Sequence, residues 1–335
     1  MKIALTGGSG FLGSALLPLL LEAGHEVRAL TRRPLPQRTD LEAVVGDLSD
    51  EASVARLVGG AEVLVHLAGR VSRDPQDGPE MYRLHVEGTR RLLQSAHQAS
   101  IGRVVMASTS GTIGVATTPR VATEADGPPI TVVARWPYYL SKIYQEKLAL
   151  GFCAEHDIAL VCLNPSLILG PGDERFSSVG DIWRFLHRDI PAMPSGGISF
   201  VDVRDVASTF LAALERGRAG ERYLLGAANM PFSEFFGRLS RLTDVPPPRL
   251  RLPKEIKIWS TEGLSRLARW RGREPALDRP SVEMGEHYFY IDSEKAKDEL
   301  GFQPRDPQET LKDTVRDLQG RRGRGPASRL EVGAG

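Results

Sequence analysis

Short, nearly continuous apolar runs recur through the first half of the chain, at KIALT (2–6), EVRAL (26–30), AVVGD (43–47), EVLVHLA (62–68), RVVMAS (103–108) and ALVCLNP (159–165). Strands buried on both faces of a parallel sheet have this character, whereas strands wetted on one face alternate. Between the runs, apolar positions return at helical spacing over 10–23, 51–58, 81–98 and 138–156. Alternating strands and helices predict an α/β fold, a doubly wound parallel sheet of the Rossmann kind with helices on both faces. Pro18 lacks a donor for the carbonyl of residue 14 and is expected to open or kink the first helix.

After about residue 170 the rhythm changes. Pro and Gly become frequent and helical patterns dominate. The division expected is a nucleotide-binding domain over 1–170 that also carries the chemistry, and a smaller, mostly helical substrate lobe over 171–319, interleaved with the sheet. The ending GRRGRGPASRLEVGAG (320–335) has no apolar face and reads as a disordered tail.

Composition narrows the partners. The 43 basic and 42 acidic side chains nearly cancel, so no global field favours nucleic acid or an anionic membrane. Apolar residues at 41% are ordinary for a globular protein. The two cysteines, Cys153 and Cys162, sit in apolar runs without C-x-x-C spacing and read as buried free thiols. MKIALTGGSG enters a strand pattern at once, and the most apolar run, 11–21, is broken by Gly13, Ser14 and Pro18. A cytoplasmic protein with no membrane span is expected. The seven histidines show no metal-ligand spacing.

The stretch TGGSGFLG (6–13) fits G-x-G-x-x-G through Gly8, Gly10 and Gly13, and also G-x-x-G-x-x-G through Gly7, Gly10 and Gly13. Either spacing lets backbone approach a pyrophosphate at a helix N-terminus. The nucleotide is read at the end of the second strand. NAD sites place an acid there for the ribose 2′-OH, while this chain has Thr31, Arg32 and Arg33. Guanidinium forks match a 2′-phosphate, so NADP(H) is preferred, with Arg32 as its ligand and NAD(H) as the other candidate. Asp47 and Leu48 at the end of the third strand, with Leu67, Ala68 and Gly69 at the end of the fourth, line the same crevice, Asp47 placed to receive the adenine amino group.

WPYYLSKIYQE (136–146) sets Tyr138 and Lys142 one helical turn apart on one face. A phenol of pKa about 10 needs a nearby cation to work as an acid–base near neutrality. Ser108, Thr109 and Ser110 follow the fifth strand with hydroxyls that could hold a carbonyl oxygen.

These motifs together resemble the extended short-chain dehydrogenase/reductase family, whose pattern runs from Lys2 to about Leu318 through TGGSGFLG, GDL, HLAG, HVEGT, the hydroxyl cluster, PYYLSK, NPSLILGPGD (164–173) and FVDVRDVA (200–207). The resemblance favours the G-x-x-G-x-x-G spacing. It implies cofactor contacts from Gly7, Ser9, Gly10, Phe11 and Leu12, a carbonyl-holding Thr109, an acid–base Tyr138, and a Lys142 that orients the nicotinamide ribose and tunes Tyr138. It also implies that Pro165 and Leu167 bound the nicotinamide pocket. A homodimer through the helix bearing Tyr138 is the family's usual assembly. His85 departs from the pattern, standing where the family usually has Asn.

Within the family, dehydratases carry Asp-Glu after the catalytic Thr, where this chain has Ser110 and Gly111. Epimerases usually end the second strand with Asp, which disfavours an NAD-dependent nucleotide-sugar epimerase. Non-catalytic nucleotide sensors lose Tyr or Lys, and both are kept here. The chain is most similar to dihydroflavonol-4-reductase-like members, which implies an NADPH-dependent carbonyl reductase or alcohol dehydrogenase. Trp136, Phe176, Trp183 and Phe185, within the covering segments 115–136 and 174–200, suggest an apolar or ring-bearing carbonyl substrate.

Overall fold

A computed structural model describes residues 1–32, 38–250 and 279–321. Arg33 and the expected tail from 322 onward lie outside the described residues.

The six apolar runs all form strands: β1 (Lys2–Thr6), β2 (Glu26–Thr31), β3 (Leu41–Val45), β4 (Val63–His66), β5 (Arg103–Ala107) and β6 (Ala159–Pro165). They lie in the order β3-β2-β1-β4-β5-β6, every pairing parallel. The strand order reverses between β1 and its neighbours β2 and β4, which opens a crevice at the carboxyl ends of these strands. β3 stops before Asp47, which lies exposed in the turn beyond it.

Helices cover both faces. Leu16 and Leu20 of the helix Phe11–Glu22 pack with Phe210 against Ile3, Leu5, Val105 and Val161. On the other face Leu57, Leu92, Leu93 and Ala149 pack against Ala4, Leu64, Val104 and Leu160. The first helix spans Phe11–Glu22 with Pro18 inside it. Cys153 and Cys162 are free and buried in the second of these layers.

The second half carries β7 (Leu167–Leu169), β8 (Gly197–Asp202), β9 (Glu221–Leu225) and β10 (Ala228–Pro231). β9 joins β6 in parallel as the seventh strand of the main sheet. β10, β8 and β7 form a small sheet, on which Phe185, Phe235, Phe236 and Leu311 build a separate core. Among the described residues no helix is long and apolar enough to cross a membrane.

Candidate active site

The loop after β1 answers the glycine question sterically. Gly7 has φ +75°, and a Cβ there would lie 2.7 Å from the backbone N of Ala68 and the carbonyl carbon of Leu67. A Cβ on Gly13 would overlap the Gly7 carbonyl oxygen. Gly10 N–H donates to that oxygen at 2.9 Å. Gly8 would meet side chains, Leu5 at 3.0 Å and Ala29 at 3.8 Å, and no backbone. The positions that most need glycine are therefore Gly7 and Gly13, linked through Gly10. Ser9, Gly10, Phe11 and Leu12 form the turn and first residues of the helix, which has no side-chain cap and no acid in its first turn. Its free N–H groups leave the positive end of the helix open to an anion.

Leu67, Ala68 and Gly69 continue β4 beside this loop, with Ala68 N–H donating to Thr6 Oγ1 at 3.2 Å. Arg32 is exposed just past β2. The Asp47 carboxyl is held below its ordinary value mainly by the Ser49 hydroxyl and amide, with a smaller pull from Arg32. Leu48 is buried and backs Gly88. The Ser166 hydroxyl, between Pro165 and Leu167, is buried with no hydrogen-bond partner. A loop with no room for a Cβ, an uncapped helix start and an orphaned hydroxyl at the end of β6 suit a dinucleotide with its pyrophosphate at the loop and its nicotinamide near Ser166.

Tyr138 and Lys142 stand in the first turns of the helix Pro137–Glu155. Lys142 Nζ donates to the Ala107 carbonyl at 2.7 Å and to Gln145 Oε1 at 2.5 Å. Burial lowers the ammonium to about 8, against an upward pull from Glu146. The Tyr138 phenol moves opposite to the sequence expectation. Burial raises it, the neighbouring Tyr139 adds to the rise, and a bond from the Thr109 side chain acts against both. The reason is that the Lys142 ammonium is turned onto Ala107 and Gln145, so desolvation dominates at the phenol.

From Gln145 the polar chain continues. Its Nε2 donates to Thr89 Oγ1 at 2.8 Å, and His66 lies between Thr89 (2.9 Å) and Thr6 (2.7 Å). Lys142 is thereby connected, through buried side chains, to the residue preceding Gly7. Glu146 Oε2 collects Ser108, Thr112 and Asn164 at 2.5, 3.0 and 2.7 Å, which fixes the turn carrying Thr109. The helix positions 138, 141, 142, 145 and 146 share one inward face. That polar stripe in YLSKIYQE was the available signal for Ser141, Gln145 and Glu146, which the motif reading passed over.

Above Tyr138 lies an aromatic wall. Tyr139 stands 5.2 Å from Tyr138, 6.0 Å from Trp136 and 6.0 Å from Phe289 between ring centroids. Trp136 and Phe185 are 2% exposed and belong to packed cores. Phe176 and Trp183 pair edge-to-face at 5.1 Å and are only partly buried. The Gly111 Cβ position is filled by the Tyr139 ring, so a Glu at that place, as dehydratases carry, would not fit. Arg73, from the loop after β4, holds Asp181 through two bonds of 3.0 and 2.7 Å, joining the nucleotide side to the lobe.

The model of the NAD dependent epimerase/dehydratase family matches residues 3–226. A Synechocystis sp. protein, provisionally named dihydroflavonol 4-reductase, is 35% identical over 93% of this chain and 92% of its own. Sterol demethylase protein B of Methylococcus capsulatus is 31% identical over 94% of this chain and 97% of its own. The crystal structure of gox2253 superposes with a TM-score of 0.79 at 31% identity, covering 98% of this chain and 99% of that one.

Proposed function

The chain belongs to the NAD-dependent epimerase/dehydratase family, an extended short-chain dehydrogenase/reductase, and from that premise we propose that it is an NADPH-dependent carbonyl reductase that converts a ketone or aldehyde to an alcohol and runs as an alcohol dehydrogenase in reverse. The observation that carries the reading is the Tyr138 phenol, close enough to the Thr109 side chain to be influenced by it, on a helix whose next turn bears the buried Lys142 ammonium. A reductase name on the Synechocystis relative supports the same direction.

The residues divide the work. Gly7, Ser9, Gly10, Phe11 and Leu12 would hold the pyrophosphate, Arg32 the 2′-phosphate, Asp47 and Leu48 the adenine, and Leu67, Ala68, Gly69, Pro165 and Leu167 the remainder of the nucleotide. When bound, the nicotinamide supplies the hydride. Thr109 Oγ donates to the substrate oxygen and keeps it beside the phenol, and Tyr138 Oη delivers the proton that completes the alcohol. Lys142 Nζ, already stripped of water, favours the phenolate that results when it turns from Ala107 and Gln145 towards the phenol. Raised by burial, the phenol is by itself a weak acid, so delivering its proton near neutrality requires the Lys142 charge beside it. Tyr139 and Phe289, only partly buried beside Tyr138, favour an apolar or ring-bearing substrate.

A panel of aliphatic, aromatic and polycyclic ketones and aldehydes, assayed with NADPH and NADH by loss of reduced-nicotinamide absorbance, tests the proposal. Turnover of at least one carbonyl with NADPH ahead of NADH is expected. Tightly bound NAD in the purified protein, with turnover of a nucleotide sugar and of no simple carbonyl, would overturn it.

A further inference from the structure

His85 is 0% exposed and lies on a π-helical turn, Arg83–Glu87, whose widened ring is closed by Gly88 N–H to the Arg83 carbonyl. Such turns admit an extra residue and are enriched at functional sites. Its Nε2 lies 3.0 Å from Arg70 N. A backbone amide can only donate, so Nε2 carries no proton and Nδ1 does. Nδ1–H then donates to Ser141 Oγ at 2.8 Å, and the Ser141 hydroxyl proton goes to the Tyr138 carbonyl at 2.8 Å. Every direction in the series from Arg70 to Tyr138 is set by that one amide.

The series matters because the Tyr138 helix starts weakly. Its N-cap, Trp136, makes no side-chain cap, and no acid stands in the first turn. The His85 ring also meets the Tyr138 ring edge-on, at 6.1 Å and 74°. On its other side it backs Gly69, where a Cβ would come within 3.3 Å of Nε2. One imidazole therefore touches both the loop that ends β4 and the turn that carries the phenol.

We infer that His85 is a positioning residue, whose Nδ1-protonated imidazole registers the Tyr138 turn against the Gly69–Arg70 loop and so sets the phenol's place relative to the nucleotide. The inference rests on the reading of Tyr138 as proton donor.

His85→Leu removes both bonds, while His85→Asn and His85→Gln offer an amide N–H to Ser141 and a carbonyl to Arg70. With a carbonyl substrate and NADPH, His85→Leu is expected to lower kcat on the order of 10- to 100-fold, with KM for substrate and the NADPH dissociation constant changed much less. The better-fitting amide variant should recover most of that loss. Full kcat in His85→Leu, or equal losses in all three folded variants, would overturn the inference. Imidazole ¹⁵N shifts and Arg70 amide exchange in the wild-type chain need neither turnover nor a stable variant. A proton on Nδ1 with bare Nε2, and a slowly exchanging Arg70 amide, are expected; an Nε2–H tautomer would overturn the inference even if the carbonyl panel fails.

Discussion

Mild acid should destabilise this chain before its carboxylates titrate, because His66 is folded in as a neutral ring. It is 1% exposed between Thr6 and Thr89, and burial, reinforced by the Lys142 charge, lowers it from 6.5 to about 3. Between those two values the unfolded chain binds a proton that the folded chain refuses, so stability rises with pH and is lost as pH falls below 6.5. From about pH 7.5 to about pH 5 the linkage amounts to about 2 kcal/mol for this single ring, at about 1.4 kcal/mol per unit once the unfolded ring is fully charged. His85, also held neutral by burial and by Lys142, adds in the same direction. The carboxyls of Asp47, Asp181 and Asp202 lie below their ordinary 3.8 and contribute little above about pH 5. Urea unfolding at the two pH values measures the effect, about 0.7 M in midpoint at a slope of about 3 kcal/mol/M. His66→Gln should be less stable at the higher pH, for its lost bonds, but should shed about 2 kcal/mol of the difference between the two. An equal acid loss in wild type and His66→Gln would refute the reasoning. Because His66 reaches the glycine loop through Thr6, NADPH at about 100 times its dissociation constant should restore about 2.7 kcal/mol at either pH where binding persists.

Tyr138→Phe should cost on the order of 10²- to 10⁴-fold in kcat while NADPH fluorescence titrations stay near wild type; full turnover would reject the phenol as proton donor. Arg32→Asp should shift the NADPH-to-NADH preference towards NADH on the order of 10- to 100-fold, read from the ratio of kcat/KM values, and an unmoved ratio would reject Arg32 as the 2′-phosphate ligand. Gly7→Ala combines a φ of +75° with a Cβ 2.7 Å from unyielding backbone. It should lower stability by at least about 2 kcal/mol in thermal melts and weaken NADPH further.

Legibility in the sequence tracked the range of the interaction. The six parallel strands were readable because burial on both faces makes each a solid apolar run. β9 was not singled out: ERYLL opens with two charged residues, Glu221 paired with Lys295 and Arg222 with Glu146, so only its last residues look like strand. Lys142 and Tyr138 were legible as a pair one turn apart, but the direction in which the phenol moves was not. That depended on where Lys142 Nζ points, which is settled by the Ala107 carbonyl 35 residues away.

From its order of residues alone, this chain determined its parallel sheet, its two covering layers, its glycine-lined turn and its membership by motif, because each rests on periodicity or on neighbours a turn apart. Only the folded molecule decided that Gly7 rather than Gly8 lacks room for a side chain, that Trp136 and Phe185 serve as core, and that His85 stands between Arg70 and Ser141. Those outcomes rest on groups that meet across long stretches of chain, 56 residues for His85 and Ser141 and more than 100 for Trp136 and His287. Loss of water at the meeting point, together with the partners that remain there, sets what each group can do.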